Sequence, residues 1–525
     1  MTKSLRAVLM LAALAAFSPW VTKTHAAPVI RTEGGLVRGF EAEHVDKYLG
    51  LRYAAPPVGA RRWGPPASAA SWTGVRDATR YGSRCAQAAS GNGPRSESED
   101  CLYLNVYRPA GARSNARLPV LFWIHGGGLR VGAGDQHDGA LLARTGGIVV
   151  VSINYRLGVF GFFGHPALSA EDPDGGSGNY GLLDQQAALR WVARNIGAFG
   201  GDPHRITIAG ESAGGWAVCA NLVSPTARGL FAGAIMQSGG CPTQPLAETE
   251  ATGAAIAEQL GCTDQARAAA CLRSKPPSAL LDAGESFLPR FTSGGDALPV
   301  PAADAVAAGH FPRVPVITGD NRDEGRYFAQ QQGWATLGRQ EYDDLVGALF
   351  GAAAPAVLAE YPYAAFPAPY AGGYAIAAVL TDSPINEGLG GCPAQDLAAT
   401  LARHTGTWFY EFADRHAPGL IDDPPGFDWG AAHTLELGYM WPSFNYGTPL
   451  YPRLTPPQRQ LSGQMLRYWG AFVRSGTPRV PGQPLWPSHE AGDVLSLRPG
   501  GETATISAGE YGAEHNCEFW HTLGA

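Results

Sequence analysis

Four short apolar runs, rich in β-branched residues and punctuated by glycine, constrain the fold most. They are residues 118–125 (LPVLFWIH), 147–155 (GIVVVSINY), 205–210 (RITIAG) and 314–319 (VPVITG). A strand with one wet face alternates apolar and polar residues. A continuous apolar run is covered on both faces, as in a parallel sheet. Between the second and third runs, Leu182, Leu183, Ala187, Leu189, Val192 and Ile196 recur at helical spacing among Asp184, Gln185, Gln186, Arg190 and Arg194. That spacing predicts an amphipathic helix over 181–199. Strand, helix and strand in this order predict an α/β fold with a large, mainly parallel sheet flanked by helices. The rhythm is lost over 326–430, where an Ala-, Pro- and Tyr-rich stretch, 361–374, reads as a cap or pocket wall. No linker divides the chain, so 27–525 reads as one domain.

Hydrophobic residues make up 45% of the 525, enough for a large core and incompatible with a disordered chain. Acidic residues number 46 against 39 basic ones, and lysine occurs only at 3, 23, 47 and 275. No basic cluster tracks a phosphate backbone, so nucleic acid is not an expected partner. Lys3 and Arg6, the apolar run 7–17 and then Thr24-His25-Ala26 have the form of a secretory signal peptide spanning 1–26. The apolar run is shorter than the roughly 20 residues that a bilayer requires, so no stable membrane anchor is expected. The expected location is secreted or periplasmic. In such an oxidising space the eight cysteines form disulfides, for which sequence alone allows 105 connectivities. There is no Cys-x-x-Cys and no cysteine–histidine pair at ligand spacing, so no metal site is expected.

Gly210-Glu211-Ser212-Ala213-Gly214 fits G-x-S-x-G, with an apolar strand before it and a helix-compatible stretch, 213–222, after it. A serine on such a turn stands exposed above a sheet. The helix N-terminus then points its N–H groups at an oxyanion forming there. Ser212 is the candidate nucleophile. It needs a base and an acid that orients the base.

Residues 195–215 (NIGAFGGDPHRITIAGESAGG) resemble the core of the type-B carboxylesterase/lipase family, which includes the cholinesterases. Four more segments match in order: 53–59 (YAAPPVG), 99–106 (EDCLYLNV), 125–128 (HGGG) and 178–185 (GNYGLLDQ). The resemblance runs from about residue 34 to 520. It implies an α/β-hydrolase fold with cap or pocket insertions, and ester hydrolysis without cofactor or metal.

By resemblance, Gly319-Asp320-Asn321-Arg322-Asp323-Glu324-Gly325 carries the acid at Glu324, with Asp320 and Asp323 as rivals on spacing alone. Of the six histidines after Glu324, only His433 has the family's Gly-Ala-Ala-His-x-x-Glu setting. His404, His416, His489, His515 and His521 read as surface or packing residues. The resemblance also implies an oxyanion hole of Gly127, Gly128 and Ala213, and a supporting serine, Ser238. It implies the disulfides Cys85–Cys101, Cys262–Cys271 and Cys392–Cys517, which leaves Cys219 and Cys241 for each other.

Two departures bear on substrate. Residues 86–100 hold no aromatic side chain, whereas cholinesterases carry in that loop a Trp that faces quaternary ammonium. Trp216, four residues after Ser212, stands where the family usually has a small residue. It is either a core residue or part of the acyl side of the pocket. The expected protein is a secreted serine carboxylesterase acting on a small-molecule ester through an acyl-enzyme. A lipase, an esterase for a bulky metabolite or polymer, an amide or carbamate hydrolase and a non-catalytic binding relative are the alternatives. The last would be marked by loss of Ser212, Glu324 or His433, and all three are present.

Overall fold

The computed structural model describes residues 25–173 and 175–524. Residues 1–24, and with them nearly all of the expected signal peptide, lie outside the described residues. The described chain begins in an edge strand, β1 (His25–Arg31), whose Val29, Ile30 and Arg31 pair with Arg38, Val37 and Leu36. A cut after Ala26 would leave those three pairings in place.

Further strands follow as β2 (Leu36–Ala42), β3 (Val45–Arg52), β4 (Val75–Asp77), β5 (Tyr103–Pro109), β6 (Leu118–Ile124), β7 (Val149–Ile153), β8 (Gly201–Glu211) and β9 (Gly233–Gln237). Then come β10 (Thr243–Pro245), β11 (Phe291–Ser293), β12 (Val316–Asn321), β13 (Thr407–Phe412), β14 (Val494–Leu497) and β15 (Ala504–Ile506). Strands β10 and β11 pair separately, and the others form one sheet in the order β1-β2-β3-β5-β7-β6-β8-β9-β12-β13-β14-β15, with β4 on β2. Every neighbouring pair from β7 to β14 is parallel. On the main path the flanking pairs are antiparallel.

The four apolar runs become β6, β7, β8 and β12. All five residues of β7, VVVSI, are buried. The sheet separates two apolar layers. Val120, Phe122 and Ile124 of β6 face one, while Leu121 and Trp123 face the other, which also holds Trp441 and Trp469. This is the two-residue side-chain period of a strand covered on both sides. β12 begins two residues later than the apolar run. Pro315 has no N–H for the ladder, although its carbonyl accepts from Ala234 N at 3.0 Å.

The predicted helix is α1 (Tyr180–Asn195), continued by a tighter turn over Ile196–Phe199. It is anchored by a buried ion pair in which Arg156 Nε lies 2.7 Å from Asp184 Oδ2. The later helices used below are α2 (Ala213–Val223), α3 (Gly325–Gln331), α4 (Ala371–Asp382), α5 (Gly391–Ala402) and α6 (Pro456–Ser475). Every residue of α2 is buried, as its nearly unbroken apolar sequence requires.

All eight cysteines are bonded, as Cys85–Cys101, Cys219–Cys241, Cys262–Cys271 and Cys392–Cys517. The second staples α2 to the segment after β9. The fourth ties α5 to the last helix, Cys517–Leu523.

The 361–374 stretch, expected as a cap or pocket wall, contributes to a cavity other than the one beside Ser212. Tyr361 donates to Asp382 at 2.8 Å, and Tyr374 stacks on Phe427 with ring centres 4.9 Å apart. Phe366, Pro367 and Tyr374 border a separate cavity of 620 Å³ beside Arg322 and Arg415. Residues 339–365 are long and apolar enough in composition to cross a bilayer. In the fold they break into Arg339–Phe350 and Ala354–Glu360 at Gly351, whose φ is 53°.

Candidate active site

Strands β8, β9 and β12 are neighbours and end at the same edge of the sheet. β8 ends at Glu211 and α2 begins at Ala213, so Ser212 alone makes the turn, at φ 58° and ψ −127°. A residue with a side chain keeps such a backbone only when its surroundings enforce it. Here the Ser212 N–H is held by Gln237 O at 2.9 Å. A Cβ on Gly214 would lie 2.2 Å from Ile124 O, so only glycine lets α2 start this close to β6. Ser212 borders a cavity of 440 Å³.

The glycine run after β6 forms the adjacent wall. Gly127 has φ 98° and Gly128 φ 62°, and both line the cavity. No acceptor takes either N–H among the described residues. The Ala213 N–H is at the first position of α2 and has no partner within the helix. Three backbone donors are therefore grouped around Ser212.

The loop after β12 supplies Glu324. Its Oε1 accepts from Asn321 N at 2.8 Å and its Oε2 lies 2.5 Å from His433 Nδ1. Both side chains are fully buried. Burial pushes Glu324 up and His433 down to about 4. The rivals point elsewhere. Asp320 accepts from Gly391 N at 2.7 Å and from Tyr511. Asp323 pairs with Arg415 at 2.8 Å and with Arg326 at 3.3 Å. Ser238 follows β9 at φ 45°, its N–H on Gly319 O at 2.7 Å. Its hydroxyl favours the charged form of Glu324 but has no hydrogen bond of full geometry.

On its other side, His433 Nε2 lies 3.3 Å from Glu211 Oε1, and no hydrogen bond joins it to Ser212 Oγ in this arrangement. Glu211 fills the free position of G-x-S-x-G, and Glu436 stands three residues after His433. Its Oε2 accepts from Asn321 Nδ2 at 2.7 Å and its Oε1 from Gln237 Nε2 at 3.2 Å. Gln237 is fixed in turn by Trp469 Nε1 at 2.9 Å. Burial, then the nearby charges of Glu436 and Glu324, push Glu211 far above the usual carboxylate range. Proximity in sequence to Ser212 and His433 was the available signal for both glutamates.

His515, expected at the surface or in packing, is buried and also ion-paired, with Nδ1 2.7 Å from Asp382 Oδ1 and Nε2 3.5 Å from Glu411 Oε1. Burial pulls its pKa down, yet the carboxylates of Asp382 and Glu411 raise it well above that of an ordinary imidazole. His489 is buried, His404 is half-buried, and His416 and His521 are exposed. Trp216 is only 7% exposed and lines the cavity.

The model of the carboxylesterase family matches residues 26–520. The chain belongs to the carboxylesterase family. This carboxylesterase has the α/β-hydrolase fold and is a carboxylic-ester hydrolase. It is 35% identical over 498 residues to the fumonisin B1 esterase of Sphingopyxis macrogoltabida, covering 89% of this chain and 86% of that one. It is 35% identical over 477 residues to the acylcarnitine hydrolase of Mus musculus, covering 84% and 81%. Among solved structures, a thermophilic PNB esterase superposes with a TM-score of 0.76 at 30% identity, covering 94% of this carboxylesterase and 99% of that chain.

Proposed function

We propose that this carboxylesterase is an exported serine esterase that cleaves small neutral esters through Ser212, His433 and Glu324 by way of an acyl-enzyme. One observation carries the reading. Ser212 on its strained strand-to-helix turn, the unused N–H groups of Gly127 and Gly128, and His433, which is paired at 2.5 Å with buried Glu324, border one cavity. Ser212 Oγ attacks the ester carbonyl carbon as its proton passes to His433 Nε2, and the carbonyl oxygen becomes an oxyanion held by Gly127, Gly128 and Ala213. The C–O bond to the alcohol breaks, and His433 returns the proton to the departing oxygen. A water, deprotonated by the same imidazole, then releases the acid and restores Ser212. In forming the Ser212 contact, His433 Nε2 exchanges Glu211 for the serine hydroxyl, a tightening common when substrate arrives. Export rests on residues 1–26, and the four disulfides are compatible with an extracellular or periplasmic destination. The test is labelling with a p-nitrophenyl organophosphate. One phosphoryl group should appear, on the peptide holding Ser212, with loss of p-nitrophenyl butyrate hydrolysis. Label on another peptide alone would refute the assignment.

The pH profile follows from burial of the base. Imidazole accepts the serine proton only when neutral, so activity is lost as pH falls through its pKa. With His433 pushed down to about 4, that loss lies well below the ordinary imidazole range. At pH 5.5, kcat/KM should stay within about twofold of its value at pH 7. An unshifted imidazole would lose about tenfold. A tenfold loss in folded enzyme would show that the histidine titrates normally.

Choline esters should be no better substrates than uncharged esters of the same shape. Residues 86–100 offer no aromatic face. Trp441 is fully buried against Trp123, and Tyr361 and Tyr374 do not line the cavity. Trp216 already has the Arg290 guanidinium 5.5 Å from its ring, which repels a second cation. The comparison is kcat/KM for butyrylcholine against 3,3-dimethylbutyl butyrate, with an expected ratio of one or below. A ratio above about ten, or 1.4 kcal/mol, would mean that Tyr327 and Tyr446 form a cation site.

A further inference from the structure

We infer that Trp216, braced by Arg290 and Glu387, is the end wall of the acyl site and limits this enzyme to esters of short acids. The inference rests on the proposed role of Ser212. Trp216 stands in the first turn of α2, its N–H donating to Ser212 O at 3.0 Å, and lines the same cavity as Ser212. In that reading His433 protonates the leaving alcohol, so the alcohol occupies the histidine's side of Ser212. The acyl chain is directed to the remaining wall, which includes Trp216.

Two features make this wall stiff. The helix is fixed on either side of Trp216. A Cβ on Gly215 would lie 2.9 Å from Gly239 Cα, so the two backbones are in contact, and Cys219 is bonded to Cys241. The ring is also covered. The Arg290 guanidinium lies 5.5 Å from it, and Arg290 Nε donates to Glu387 Oε1 at 3.0 Å. Trp216 Nε1 has no hydrogen-bond partner, so replacing the ring strands no polar group on a neighbour. A fixed wall cannot retreat before a longer chain, and selectivity should break sharply with length.

The experiment compares wild type with Trp216→Ala on two ester series. One lengthens the acid, from p-nitrophenyl acetate to decanoate. The other lengthens the alcohol, from methyl to octyl butyrate. Wild type should prefer short acids. The variant should raise the decanoate-to-butyrate ratio of kcat/KM by about tenfold or more and leave the alcohol series unchanged. Organophosphate titration of the variant should still find one reactive serine, which separates failure of the wall from failure of the Ser212 assignment. An unchanged acyl ratio with full titration overturns the inference, as does a shift confined to the alcohol series. If the alanine variant does not fold, Trp216→Leu shortens the same wall while keeping an apolar side chain, and the same readouts decide.

Discussion

Ser212→Ala should lower kcat by about a million-fold and leave the fold intact. Removing the nucleophile of a Ser-His-acid site costs about that much, because the remaining members cannot act without it. The fold should survive because the Ser212 hydroxyl makes no hydrogen bond to His433 and the turn is held by the backbone bond from Ser212 N to Gln237 O. The checks are single-turnover hydrolysis of p-nitrophenyl butyrate, a thermal melt and organophosphate labelling. The melting temperature should move by less than about 2 °C, and no phosphoryl group should be incorporated. A variant that keeps a tenth of the activity would exclude Ser212 as nucleophile.

Glu324→Gln should cost about three to four orders of magnitude in kcat with little change in KM. A carboxylate replaced by its amide keeps the shape of the site but neither selects the right imidazole tautomer nor stabilises the imidazolium. The neighbouring acids provide the contrast. Asp320→Asn perturbs bonds to Gly391 and Tyr511, and Asp323→Asn perturbs the pairs with Arg326 and Arg415. Both should lower the melting temperature more than they lower kcat. If either matched Glu324→Gln in kcat at 25 °C, the acid would be assigned to the wrong residue.

What the sequence made legible was local. A buried parallel strand is an unbroken apolar run, and a nucleophile turn is five residues long, so β7 and the Ser212 turn could be read directly. Glu324 and His433, 109 residues apart, came into view through motif resemblance, since no spacing rule links them. The carboxylates gathered around the imidazole were harder. Glu436 meets Asn321 across 115 residues, and Gln237 across 199. Such contacts depend on strand order, which periodicity does not encode. The 361–374 stretch was legible as a wall, since Phe366, Pro367 and Tyr374 border a cavity, but composition does not say which cavity, and this one is not that of Ser212. For His515, a single histidine in the sequence gives no hint of the two carboxylates, 133 and 104 positions upstream, that enclose it.

The disulfide pattern has a consequence for how the chain matures. Each of the four bonds joins cysteines that are consecutive along the chain, with separations of 16, 22, 9 and 125 residues. A chain threaded N-terminus first into an oxidising space delivers its thiols in the very couples in which they end up bonded. An oxidant that joined each newly arrived thiol to the one waiting would reach the native set out of 105 possibilities without a single rearrangement. Three of the loops could close while synthesis continues, and only the last must wait for the C-terminal helix to emerge. Maturation would then depend on the order of delivery, and little on an isomerase that sorts wrong pairs from right ones.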